Sequence, residues 1–284
     1  MRGGDLAAED LGAEEVAGLA ARHPALMHPP LATRLGGLAV ALATLGLFGF
    51  GLYTLDISPG RLAAGAVALV RFLALMVPPD PLGHPGLFLK ALGETLAISL
   101  LGTLLAAVLA FPMGLLAARN VVANPVVHAL VRRVFDVIRS IDVLVWALVW
   151  IGVVGLGPFA GVLAIACSDF GAFGKLFSET VETTGHRARE GVRAAGGAHR
   201  DEVRFGVLPQ VLPVLAGQVL YFFESNVRSA AIIGIVGAGG IGLHLYEAIR
   251  TLEWREVAFL VLMILVAVAL IDTVSSRLRA AMRG

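Results

Sequence analysis

The sequence predicts an all-α integral membrane protein with about six transmembrane helices, and three observations carry that reading. Hydrophobic residues make up 57% of the 284-residue chain before its 34 glycines are counted, where soluble domains reach about 45–50% with glycine included. Charged residues are 15%, against about 25% in soluble proteins. The apolar residues also gather into stretches near the ~20 residues that a helix needs to cross a ~30 Å hydrocarbon core, where a helix satisfies its own backbone. A water-soluble globular enzyme, a disordered chain and a disulfide-stapled domain are excluded, the last by the single Cys167, which reads as an inert small hydrophobe. A net charge of +1 gives no footing for nucleic acid as a partner.

Residues 1–35 are polar and acidic and read as a cytoplasmic tail without a secretory leader. The first span, 36–55, contains no charge. Residues 56–90 form an outer segment, in which Leu62, Ala66, Leu69, Leu73 and Met76 fall at helical spacing. Arg71 interrupts that stretch and Pro78-Pro79-Asp80-Pro81 ends it, so it reads as a helix on the membrane surface, with a crossing as the alternative. The remaining spans then fill a core over 91–284. Ala91–Leu116 is the second span, broken only by Glu94; Ile141–Leu156 is the third, beginning earlier in the amphipathic stretch from Val131. Pro158–Phe177 is the fourth, with proline where a first helical turn tolerates it. Val207–Val236 is the fifth, and Val257–Ile271, continuing to about Ser276, is the sixth. Of the 22 Lys and Arg residues, sixteen fall on the side of the termini, five on the other, and Arg228 within a span. That bias puts both termini in the cytoplasm.

Gly237-Ala-Gly239-Gly240-Ile-Gly242 matches G-x-G-x-x-G after a strand-like Ile232–Val236, the form of a dinucleotide-binding turn. That fold needs a full βαβ unit, whereas the next apolar stretch here is a span. The glycines read instead as a turn ending the fifth span, or as places where backbones pack closely or line a solute path. Glu224 and Arg228 stand four apart on one helix face. They are either an ion pair offsetting its own membrane cost or an anion site with Arg228 as the contact. Asn226 points elsewhere on that helix, toward a neighbouring span, and Asp169 and Asp272 read as helix-packing partners. No G-x4-G-K-[ST] loop is present, so the chain does not cradle a nucleoside triphosphate itself.

The polar stretch 178–206 carries the strongest signal. Glu190–Ala195 supplies a short helix, Gly196-Gly197 breaks it, and a second short helix runs toward Pro209; a projecting helix–turn–helix suits docking in a soluble partner. With Glu190 at the first position, Gly196 at the seventh, and Leu208-Pro209 at the end, the stretch resembles the E-A-A-x3-G-x9-I-x-L-P coupling loop of bacterial ABC-importer permeases. It departs at Gly191, Val192 and Gly206. Val154-Gly-Leu-Gly-Pro158, Gly206-Val-Leu-Pro-Gln-Val211 and, above all, Glu224-Ser-Asn-Val-Arg-Ser-Ala230 with Gly234–Gly242 are similar to the phosphonate-permease branch of that family. Ser168 and Val143 stand where that branch carries His and Glu.

The resemblance implies a type I (MetI-like) importer permease of the bacterial inner membrane, not an enzyme. It would be paired with a second permease copy, taken as a homodimer. Two ATP-binding subunits, carrying ATP and Mg, and a periplasmic or lipid-anchored solute-binding protein would complete the transporter within the lipid. The permease would bind no cofactor directly. Glu190, Ala194, Gly196, Leu208 and Pro209 would couple the ATPase. Glu224, Asn226, Arg228, Gly237, Gly239, Gly240 and Gly242 would border the path for a phosphonate, with phosphite, phosphate or another small solute as alternatives. An ATP-independent secondary transporter is the competing class; it predicts inverted repeats and leaves the loop without a purpose.

Overall fold

The computed structural model describes residues 31–122 and 124–281; most of the expected N-terminal tail lies outside them. The chain divides into two compact units, residues 1–72 and 73–284.

In the first unit, α1 (Leu31–Thr54) is a 24-residue helix, and its segment Leu35–Thr54 is apolar enough to cross a bilayer. α2 (Pro59–Leu75) follows a turn in which Asp56 adopts positive φ. Ser58 accepts the Arg61 N–H at 3.3 Å, an N-cap for a helix whose first residue is Pro59. No residue of α2 is buried, and its 17 residues reach about 25 Å, short of a ~30 Å hydrocarbon core.

The second unit is a helical bundle built around α3 (Pro85–Ala117) and α6 (Pro158–Glu182). Small residues bring these two helices together: a Cβ at Gly102 would lie 2.8 Å from Ile165, and one at Gly114 2.9 Å from Phe177. The hydroxyls of Thr95, Ser99 and Thr103 donate to carbonyls four residues back, at 3.0, 2.8 and 2.7 Å, so a polar face sits in an apolar core without orphan donors.

The third crossing differs from a straight span. α4 (Pro125–Arg139) and α5 (Val143–Val154) meet at 86°. Each half has its own N-cap: Asn124 Oδ1 accepts from Val126 N–H at 2.9 Å, and Asp142 Oδ1 from Leu144 N–H at 2.8 Å. Asp142 thus starts a new helix rather than continuing the old one, and Phe135 fills the space left by Gly174 of α6. α9 (Leu208–Ile235), α10 (Ile241–Arg250) and α11 (Trp254–Ala281) complete the bundle; α10 is a short helix between the last two spans that the apolar pattern did not reveal. Among the described residues, five helices are long and apolar enough to cross a membrane, and the bent pair makes a sixth.

Candidate functional site

The loop after α6 folds as a clasped helix–turn–helix. α7 (His186–Ala194) leads to a three-residue turn, α8 (His199–Asp201), and a wider π-helical turn, Glu202–Val207, that runs straight into α9. The second short helix is therefore continuous with the span and does not stop at Pro209. Pro209 has no N–H to offer four residues back, and the ladder widens so that Leu208 N–H bonds to Val203 O. The run from His199 to Ile235 has 37 residues, about 55 Å, so its first turns lie outside the bilayer.

Gly196 ends α7 in the left-handed region at φ +84. Its N–H bonds to Arg193 O at 2.9 Å, and Gly197 N–H to Val192 O at 3.0 Å, the double closure of a Schellman cap. A Cβ at Gly197 would lie 2.7 Å from Val192. Gly206, where the signature has isoleucine, abuts Arg189: a Cβ there would lie 3.2 Å from the Arg189 Cα. Glycine at this position lets α7 lie against the π turn. Glu190, Ala194 and Gly196 are exposed, Leu208 is half-buried and Pro209 is exposed.

The clasp itself was not legible in the motif. Glu202, with its side chain 4% exposed, receives Arg193 Nε at 2.8 Å and Nη2 at 3.0 Å, with Arg189 Nη2 at 3.6 Å. The Arg193 hydrogen bond, more than any other neighbour, holds the Glu202 carboxyl below the usual carboxylate range. Arg189 also donates to Asn120 O at 2.9 Å, and a ring nitrogen of His199 lies 2.9 Å from Val121 O. The loop is thereby fastened to the link between α3 and α4.

Within the bundle, Asn226 and Asp169, each 6% exposed, form the hub of a buried polar seam. Asn226 Nδ2 donates to Asp169 Oδ2 and, at 2.8 Å, to Thr103 Oγ1; Ser99 Oγ shares its one proton between Thr95 O and, at 3.1 Å, Asn226 O. Asn226 therefore ties α9 to α3 and α6. Asn226→Ala leaves a buried carboxylate without its partner, a loss of about 1–3 kcal/mol or more. The expected outcome is a lowered midpoint in thermal unfolding of the purified protein in detergent; an unchanged midpoint would show that the seam contributes nothing to stability.

The glycine motif is a held turn. Gly237, Gly239 and Gly240 have φ of +103, +82 and +71, and the preceding Ile232–Val236 is the end of a helix, not a strand. Glu94 Oε1 accepts Gly240 N–H at 2.9 Å, Thr95 Oγ1 accepts Ile241 N–H at 2.8 Å, and Gly157 N–H donates to Gly237 O at 2.9 Å. Side chains at Gly237, Gly239 and Gly240 would collide with Leu156, Glu94 and Thr95, and one at Gly242 with the Ala231 carbonyl. Gly239 and Gly240 pack closely against α3, Gly242 against α9, and Gly237 against Leu156 in the link between α5 and α6.

Glu224 and Arg228 do form an ion pair, at 3.8 Å, and Arg279 of α11 reaches the same carboxylate at 3.5 Å. Asp272 lies 3.9 Å from Arg279. The Arg228 side chain is 50% exposed, on a face of α9 shared with exposed Tyr221 and Ile232. Below it opens a cleft of about 660 Å³ lined by Leu176, Val214, Gly217, Gln218, Tyr221 and Arg279 among others. Arg279, 55 residues from Glu224, carried no local signal.

A bundle of membrane helices with a clasped polar helix–turn–helix between two of its spans defines the class of transporter permeases driven from outside the membrane. The chain belongs to the family described as binding-protein-dependent transport system inner membrane component, whose profile matches residues 110–283. It is 37% identical over 249 residues to the putative phosphite transport system permease protein HtxC of Stutzerimonas stutzeri, covering 88% of each chain. It is 36% identical over 252 residues to the phosphate-import permease protein PhnE of Mycolicibacterium smegmatis, covering 88% of this chain and 47% of that one. Among solved structures, an inward-facing MetNI methionine ABC transporter matches with a TM-score of 0.63 and 22% identity, over 71% of this chain and 99% of that one. The chain is thus an ABC-importer permease subunit, a multi-pass inner-membrane protein and not an enzyme; such systems place ATP hydrolysis and solute capture on partner subunits.

Proposed function

We propose that this permease carries a phosphorus oxyanion, of the phosphonate, phosphite or phosphate class, and that Arg228 is its contact within the membrane. The observation that carries the reading is an arginine half-exposed on an apolar helix face, balanced by a carboxylate that a second arginine shares. A cation facing lipid is costly; facing a second permease subunit across a wet path, it becomes a fixed site for an anion. The printed names of the relatives, phosphite and phosphate permeases, point to the same solute class.

In this reading two copies of the chain face each other along α9, and two ATP-binding subunits carrying ATP and Mg grip the exposed Glu190, Ala194 and Gly196. Leu208 and Pro209 pass the motion into α9. The loop and both termini lie in the cytoplasm, in accord with the distribution of Lys and Arg. A binding protein delivers the solute from the other side. ATP binding and release shift the helices between two states only as far as the loop is held differently in each.

Arg228→Ala is expected to lower uptake of phosphite or methylphosphonate in reconstituted vesicles by roughly ten- to hundredfold, the loss of one charge-assisted contact, while the complex still assembles. Arg228→Lys retains part of the rate. Full uptake by an assembled Arg228→Ala complex would refute the role of Arg228. Binding of none of these anions by the cognate binding protein would refute the solute class.

A further inference from the structure

On the coupling-loop side of the bundle, the end of α3, the polar face of α4 and the last turns of α6 enclose a pocket of about 240 Å³. We propose that this pocket binds the headgroup of an anionic phospholipid from that leaflet, a site separate from the solute path.

Four cations line it, Arg119, Arg132, Arg133 and Lys175, against one carboxylate, Asp136. His128 adds no charge in this arrangement: its Nδ1 faces Ala117 O and its Nε2 receives Arg119 Nε at 3.0 Å, which requires the neutral ring with the proton on Nδ1. Glu182 neutralises only part of the excess, accepting Arg132 Nη2 at 2.8 Å and the Arg119 backbone N–H at 2.8 Å. Arg132 Nε is buried and has no hydrogen-bond partner, and a buried guanidinium nitrogen without an acceptor marks a place for one. Arg133 is 84% exposed and only loosely paired with Asp136 at 3.7 Å.

What distinguishes a lipid from free phosphate is the surface beside the pocket. Val126, Leu130, Val134 and Val137 are all exposed and recur at helical spacing on one stripe of α4, with Arg133 between the stripe and the pocket. An acyl chain can lie along that stripe while its phosphate meets the cations; a free anion has no use for it. Basic pockets between membrane helices, close to the headgroup level, fit anionic headgroups by charge and shape.

The test is native mass spectrometry of the purified transporter complex with phosphatidylglycerol or phosphatidylcholine added, and with inorganic phosphate as competitor. The wild-type complex is expected to retain phosphatidylglycerol in preference to phosphatidylcholine, and millimolar inorganic phosphate leaves it bound. Each surface cation contributes about fivefold to such binding, so R133Q/K175Q should lose about 25-fold. Asp136→Asn, which removes the one lining carboxylate, should gain about fivefold, a gain that misfolding does not mimic. Equal retention of both lipids, or retention unchanged in both variants, would overturn the proposal. Displacement by inorganic phosphate would assign the pocket to a free anion. Loss of the ATP-binding subunit from R133Q/K175Q with lipid retention unchanged would assign it to that partner.

Discussion

Replacing Gly242 with alanine is expected to destabilise the bundle by about 3 kcal/mol or more, and to remove most folded protein from the membrane fraction. The new Cβ would sit 1.9 Å from the Ala231 carbonyl oxygen and 2.9 Å from the Gly234 Cα. Both obstacles are backbone, so no side chain can rotate away. Relief would require α10 to back off from α9, and that movement would pull Gly240 and Ile241 from their acceptors on α3. Gly93→Ala is the control: it lies in α3 with nothing within 4 Å of its Cβ position, and removing a glycine from a helix interior gains about 0.5–1 kcal/mol. Fluorescence-detected size exclusion and thermal unfolding in detergent read both variants. Equal unfolding midpoints would mean that α9 and α10 separate freely and that the contact is dispensable.

Glu202→Ala is expected to reduce coupled uptake to background while the permease remains in the membrane. Its carboxylate is where Arg193 from α7 meets the π turn, with Arg189 close by. Without it two guanidiniums of α7, one helical turn apart, lose the carboxylate they share, and α7 loses its fixed angle to α9. A lever must be stiff to transmit force, so the defect should appear as ATPase turnover no longer stimulated by loaded binding protein. Glu202→Gln keeps the acceptor oxygen but drops the charge and should fall between the two. The hydrogen bonds lower the carboxyl's pKa, so this contribution is complete at neutral pH, above the unfolded value. It fades as pH falls through the lowered folded value. Wild-type stimulation in the Glu202→Ala complex would show that the clasp is not part of the lever.

The spans were legible because lipid imposes one demand, a long apolar helix, that composition meets or fails visibly. The turn at Gly196 was legible for a similar local reason: two glycines after a helical stretch have one economical use. The bend in the third crossing was half visible, since Asn124-Pro125 and Asp142 are cap residues standing in an apolar context, yet only the structure shows that both are used. The clasp at Glu202, the Arg279 contact with Glu224, and the Glu94 and Thr95 contacts to the glycine turn were not legible. The last two join residues 55 and 146 positions apart. Periodicity tells which face of a helix is buried, but not which helix will cover it. The same limit hid the partners of Asn226: a polar residue turned toward a neighbouring span does not say which span, and the structure gives it Thr103 of α3 and Asp169 of α6.

The glycine turn also constrains how such a protein can move. The amino end of α10 borrows two of its acceptors from Glu94 and Thr95 of α3, so parting those segments would strand two peptide donors in a medium that offers no substitute. One end of the bundle is consequently a welded block, and any rocking between open and closed forms is relegated to joints that already carry caps on both flanks. The elbow at 140–142 is such a joint: its hydrogen bonds are completed within each arm, and its angle can change without orphaning a donor.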